Sequence, residues 1–159
     1  MKRFWQRAAA VILIFLLCLY ISTFWCQVML IQGDSMEPAY HDWQFVLLDK
    51  HTEAFGIGDV VAFRCKGLDG LLVKRIAAVP GDALQIVDGK LYVNGQASQE
   101  EWWSHTISYA GRAAEPITLA EEECFVLGDN LVYSKDSRYE EVGSIKKEAI
   151  IGKVIRRKK

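Results

Sequence analysis

Hydrophobic and polar positions along the chain fall into two regimes. Residues 8–33 contain no Asp, Glu, Lys or Arg. The apolar heart of this run, residues 8–21, grades into the mixed stretch 22–27 and then into Val28-Met29-Leu30-Ile31. A helix needs about 20 apolar residues to cross a bilayer core of about 30 Å. Trp5 and Trp25 stand where interfacial aromatic side chains are expected. The pattern predicts an uncleaved transmembrane anchor over residues 8–31. A cleaved secretory signal shares the basic start but has a shorter core followed by a small-x-small site. No Ala-x-Ala motif follows this run, and Ala8-Ala9-Ala10 precedes its core. A buried helix of a soluble protein fits this length poorly. Lys2, Arg3 and Arg7 assign residues 1–7 to the cytoplasm and the body, 32–159, to the outer side of a single-pass anchor.

Past the anchor the period shortens from that of a helix to that of strands. Trp43-Gln44-Phe45-Val46-Leu47-Leu48, Val60-Val61-Ala62-Phe63, residues 71–79 and residues 149–155 are short runs of branched and aromatic residues bounded by Gly and Asp. Leu84-Gln85-Ile86-Val87 and Lys90-Leu91-Tyr92-Val93 flank Asp88-Gly89, with Asn94-Gly95 following. Asp-Gly and Asn-Gly supply the positive φ that tight hairpin turns require, so a hairpin is predicted. Residues 96–123 are polar and read as loop with short edge elements, and their Glu clusters as solvated surface. Residues 140–149 read as one short helix. The body is expected to be mainly β and mostly antiparallel.

Composition changes this picture in a few places. The 159 residues suit one ordinary domain, and 19 Lys+Arg against 20 Asp+Glu leave no global field that would attract nucleic acid. All 20 acidic residues lie within 34–152, between the basic start and the basic end Lys153, Arg156, Arg157, Lys158 and Lys159. That end reads either as a solvated terminus or as a contact for anionic lipid. Four cysteines make no disulfide scaffold at this length. Cys18 and Cys26 behave as small hydrophobes in the apolar run, and pairing of Cys65 with Cys124 stays open. No CxxC or HExxH occurs, which gives a metal site no support.

Two residues carry candidate chemistry. Ser35 sits in the turn-forming Gly33-Asp34-Ser35-Met36-Glu37-Pro38, just beyond the apolar run. In Leu71-Leu72-Val73-Lys74-Arg75-Ile76-Ala77-Ala78, strand alternation puts Leu72, Lys74, Ile76 and Ala78 on one side and Arg75 on the other. A lysine facing inward among apolar side chains is costly unless neutral. A neutral amine can act as general base for a serine hydroxyl. From the local pattern alone, an ordinary turn serine and a lysine snorkelling to solvent are the favoured readings.

The segments Gly33-Asp34-Ser35-Met36-Glu37-Pro38, Gly58-Asp59-Val60-Val61-Ala62-Phe63-Arg64, Lys74-Arg75-Ile76-Ala77-Ala78-Val79-Pro80-Gly81-Asp82 and Gly128-Asp129-Asn130 with Ser134-Lys135-Asp136-Ser137-Arg138 resemble, in order, the motifs of type I bacterial signal peptidases. With the anchor, the resemblance spans nearly the whole chain. It implies a β-sandwich-like catalytic core with an inserted hairpin. It also implies a membrane-bound serine endopeptidase that removes signal peptides from secretory preproteins after small residues of the Ala-x-Ala type.

Residue by residue, it implies Ser35 as nucleophile, Lys74 as general base and Ser134 as the hydroxyl that orients the lysine amine. Asp136 and Arg138 become a supporting pair, and the Ser35 N–H an oxyanion donor. Met36 and Leu72 are candidates for the floor of a pocket that admits small side chains. No metal, nucleotide or organic cofactor is needed. The bilayer and secretory preproteins are the implied partners, with a place near the secretion translocase and none for nucleic acid. The chain departs from the family's usual pattern at Gly33, where some members carry serine, at Ala39 in place of Thr, and at Leu131-Val132 in place of Arg and a polar residue. His41, His51 and His105 sit in polar surroundings, and no GxSxG surrounds Ser35. Two other functions remain open at this point: a dedicated Ser–Lys maturase for one exported or conjugation-system substrate, and an inactive membrane-tethered β module that binds exported chains.

Overall fold

The structure, a computed structural model, describes residues 2–65, 68, 70–103 and 106–155. One helix, α1 (Lys2–Phe24), opens the chain. Its window Arg3–Tyr20 is long and apolar enough to cross a membrane, and none of it is buried among the described residues. The span expected over residues 8–31 is not one helix, because the charge-free run holds two elements. The helix ends at Phe24, and strand β1 (Cys26–Leu30) pairs antiparallel with β2 (Phe45–Asp49). The polar side chains of residues 22–27 mark the point where lipid-compatible helix gives way to a sheet edge.

Among the described residues, the body forms two antiparallel sheets. Strands β1, β2, β3 (Val60–Arg64), β4 (Leu71–Ala78), β9 (Glu123–Leu127), β10 (Ile145–Lys146) and β11 (Ile150–Val154) form the large one, ordered β1-β2-β11-β3-β4-β9-β10. Strands β5 (Ala83–Val87), β6 (Lys90–Val93), β7 (Gln96–Ala97) and β8 (Ile117–Thr118) form the small one, ordered β7-β6-β5-β8. The predicted hairpin is β5–β6, with Asp88 and Gly89 at φ 49° and 73° in its turn. The whole small sheet is an insertion between β4 and β9, which are neighbours in the large one.

Three apolar clusters hold these layers. Leu84, Ile86 and Leu91 of the small sheet pack with Ala77, Ala78, Phe125 and Leu127 of β4 and β9. Val61, Phe63, Ile76 and Val126 form a second cluster with Val142 and Ile145. Leu48, Val60, Ala62 and Val154 form the third, into which Met36 plugs the turn that carries Ser35. Strand β4 is therefore covered on both faces, and every residue from Lys74 to Ala78 is buried. By contrast, the outer face of β1–β2 leaves Val28, Phe45 and Leu47 exposed beside Trp43, directly after α1.

A further expectation changes. The helix expected over 140–149 is reduced to one 3-10 turn, Lys147–Ala149. Gly143, at φ 60°, closes a single turn on the Tyr139 carbonyl, and Ile145–Lys146 then pairs with β9. Strand β9, which begins at the last residue of the stretch read as loop and had no element assigned beyond it, packs on both faces, through Phe125 on one and Val126 on the other. All four cysteines are free thiols: Cys124 is buried, and Cys65 donates to the Glu141 carbonyl at 3.1 Å.

Candidate active site

Ser35 lies on a closed excursion between β1 and β2. The excursion is shut at its base by Ile31 N–H to the Gln44 carbonyl and Trp43 N–H to the Ile31 carbonyl, both at 2.9 Å. Inside it, the Asp42 carboxylate accepts the Gly33 N–H at 2.7 Å, and Met36, 1% exposed, fixes the turn to the core. The Ser35 carbonyl accepts the Asn130 N–H at 3.1 Å. Ser35 is thus held by two parts of the chain far apart in sequence, with its hydroxyl half-buried.

Lys74 reaches that hydroxyl from β4, with Nζ 2.6 Å from Ser35 Oγ. The lysine is 3% exposed. Burial pushes its pKa down from 10.5 to about 8, against the opposing pull of the Asp136 and Asp129 carboxylates. Burial wins for a visible reason: each of those carboxylates is already bound by an arginine. Asp136 takes Arg138 Nε at 2.8 Å and Nη2 at 2.9 Å. Asp129 takes Arg75 Nε at 2.7 Å and Nη2 at 2.5 Å. At pH 7 such a lysine is neutral in about one molecule in ten, against roughly one in 3,000 for an ordinary lysine. This arrangement can accept a hydroxyl proton.

The other expected residues gather around this pair. Asp136 and Arg138 are fully buried, and Asp136 also accepts the Gly128 N–H at 3.0 Å. Arg138 Nη2 donates to the carbonyls of Leu131 and Ser134, at 2.9 and 3.2 Å. Ser134 is buried, but its Oγ has no hydrogen-bond partner among the described residues, so the expected bond to the lysine amine is not made. The hydroxyl stays close to the site: a Cβ built on Gly128 would fall within 2.2 Å of Ser134 Oγ and 2.4 Å of the Ser35 carbonyl oxygen. Met36 and Leu72 join Ser35 and Lys74 in lining a groove of about 340 Å³, whose walls are Met29, Leu30, Ile31 and Gln32 on one side and Leu71 and Val73 on the other. Met36 belongs mainly to the core beneath it.

The histidines have other company. His41 Nδ1 pairs with Glu37 at 2.7 Å, His51 lies against Trp25, and His105 falls outside the described residues. Of the basic end, Lys153 forms an ion pair with Asp59 at 2.7 Å, and residues 156–159 also lie outside the described residues.

Reading the sequence missed the partnership of Arg75. Strand alternation directs it away from Lys74, but the far face is also covered. There it bonds Asp129 and the Gly58 carbonyl, and the Trp102 ring lies 4.3 Å from its guanidinium carbon. Only an unpairable long side chain in a doubly covered strand could have signalled this. The 54 residues separating Arg75 from Asp129 hide the partner.

Comparison with known proteins agrees with the geometry. Residues 4–157 match the family described as "Signal peptidase, peptidase S26". The chain is 31% identical to signal peptidase I of Bacillus licheniformis, covering 90% of this chain and 82% of the relative. It is 30% identical to signal peptidase I T of Bacillus subtilis, at 90% and 79% coverage. A crystal structure of a signal peptidase I from Enterococcus faecalis is similar with a TM-score of 0.54 and 26% identity, over 65% of this chain and 97% of that one. The chain belongs to the signal peptidase family, peptidase S26, and is a serine endopeptidase.

Proposed function

We propose that this enzyme removes N-terminal signal peptides from exported preproteins with Ser35 as nucleophile and Lys74 as general base. The observation that carries the reading is the 2.6 Å contact between Lys74 Nζ and Ser35 Oγ, at a lysine whose pKa burial lowers to about 8. Neutral Lys74 takes the hydroxyl proton as Ser35 Oγ attacks the scissile carbonyl, and returns it to the leaving amine. Water, activated by the same amine, then hydrolyses the acyl-enzyme. In this reading the Ser35 N–H donates to the developing oxyanion.

The groove beside Ser35 supports the preference for small residues. Leu72 and Met36 give it an apolar floor, and its modest size favours alanine side chains. Helix α1 is the anchor of this reading, with the amino terminus in the cytoplasm. The exposed Val28, Trp43, Phe45 and Leu47 then rest the body on the outer surface of the bilayer, where a membrane-held substrate presents its cleavage site.

The test is cleavage of a secretory precursor with Ala at the −1 and −3 positions by the full chain in detergent. Wild type is expected to cut after the −1 Ala, and Ser35→Ala or Lys74→Ala to lose at least about 1,000-fold in kcat/KM. Substantial cleavage by a folded Lys74→Ala protein would overturn the dyad. No cleavage of several such precursors by wild type would overturn general signal peptide processing.

A further inference from the structure

The loop that follows β9 ends in a feature the proposed chemistry leaves unused. Val132 and Tyr133 are 72% and 76% exposed, among the most exposed large apolar side chains of the body. They are not on a slack loop. The Asn130 N–H donates to the Ser35 carbonyl at 3.1 Å, and the Ser134 N–H to the Asn130 carbonyl at 2.9 Å. Arg138 Nη2 grips the carbonyls of Leu131 and Ser134, which bracket the two residues. Leu131 itself is buried and packs in the cluster under the small sheet. Two apolar side chains therefore stand in solvent on a backbone fixed at both ends, on a tip bolted to the main chain of Ser35. Apolar and aromatic groups on a fixed backbone bind a partner with little further loss of backbone freedom.

The occupant follows from which flank of Ser35 the tip adjoins. The groove lined by residues 29–32 and 71–74 contains Ser35 and Lys74 but no residue of the tip. The 128–134 loop adjoins Ser35 outside that groove, through the Asn130 N–H on the Ser35 carbonyl, on the path by which a peptide whose acyl side fills the groove would leave. We propose that Val132 and Tyr133 are specificity-determining residues for the leaving side of the substrate. They contact the first residues of the mature chain, with preference for apolar over small polar ones. The inference rests on the proposed peptidase reading of the site.

Two precursors that differ only after the cleavage site, one continuing Val-Leu and the other Ser-Ser, test it with the full chain in detergent. Wild type is expected to favour the Val-Leu precursor by about three- to tenfold in kcat/KM, the range of modest apolar contacts. Val132→Ser and Tyr133→Ser, singly and together, are expected to bring that ratio toward one. Discrimination between Ala and Val at the −1 position should persist. A ratio is independent of how much of each variant is folded, so misfolding cannot imitate the result. An unchanged leaving-side ratio in the double variant would overturn this inference and leave the peptidase reading intact. Losses that fall equally on both precursors and appear only with phospholipid vesicles would assign the tip to the bilayer and overturn it as well. Failure of wild type to cut either precursor would overturn the proposed function itself, and this inference with it.

Discussion

Lys74 and Arg75 are consecutive on β4 and each is 3% exposed, yet their heads meet different company. Arg75 finds a carboxylate matched atom for atom to its fork, a carbonyl and an aromatic face. Lys74 finds a serine hydroxyl, while the carboxylates nearest to it are occupied by arginines. The same burial therefore yields a compensated charge on one face of the strand and a charge under pressure to leave on the other. In the proposed dyad, reactivity depends as much on the arginines that neutralise Asp129 and Asp136 as on the lysine. Without them, two bare carboxylates would hold the amine protonated.

The sharpest way to break the contrast is to remove the compensated side. Arg75→Met leaves Asp129 buried without its partner and is expected to destabilise the protein by about 3 to 5 kcal/mol. Chemical denaturation in detergent would measure this, and a loss under about 1 kcal/mol would mean that the pair is far less sheltered than its 3% and 2% side-chain exposures indicate. In whatever fraction folds, the freed carboxylate should raise the Lys74 pKa and move the acid limb of kcat/KM above about 8.

The uncompensated side should respond in the opposite sense. An unfolded chain keeps the proton on Lys74 up to about 10.5, whereas the folded protein releases it near 8. Between those values the unfolded state holds the extra proton, so this group makes stability rise with pH. Below pH 8 the buried ammonium is a full burden. Lys74→Met should then be inactive but more stable than wild type, by about 3 kcal/mol at pH 7, with the advantage shrinking by pH 10. Thermal unfolding at the two pH values checks it, and an equal gain at both would remove the charge from the explanation.

The smallest expected effect is at Ser134. Its hydroxyl has no partner to lose, so Ser134→Ala should change folding stability by less than about 1 kcal/mol. If the hydroxyl turns to the amine once substrate is bound, kcat should fall while KM holds. Unchanged kinetics would leave Ser134 a space-filling residue.

Much of this was readable before any coordinates. The hairpin β5–β6 announces itself through Asp88-Gly89, and β2, β3, β4 and β11 through short branched runs. Strand β9 escaped because its residues are buried on both faces and follow an acidic cluster, so they show a brief apolar run without alternation. Strand β1 escaped because its apolar residues continue those of α1, and hydropathy alone does not separate a lipid-facing turn of helix from an edge strand. In the site, the inward lysine followed from alternation, and its pairing with Ser35 from the resemblance of four ordered segments. The Arg75–Asp129 pair and the Val132–Tyr133 tip depend on contacts between distant parts of the chain, which no local pattern encodes.

The close approach at Gly128 has a consequence for anyone surveying substitutions across this chain. Three segments meet there with no room for a single additional carbon, and the backbone shows no positive φ to explain the glycine. A scan of variants would score position 128 as severely as a reacting group, although it supplies no acid, base or nucleophile. The smallest possible replacement, Gly128→Ala, would wedge Ser35 and Ser134 apart. Intolerance at that position would record a distance rather than a chemistry.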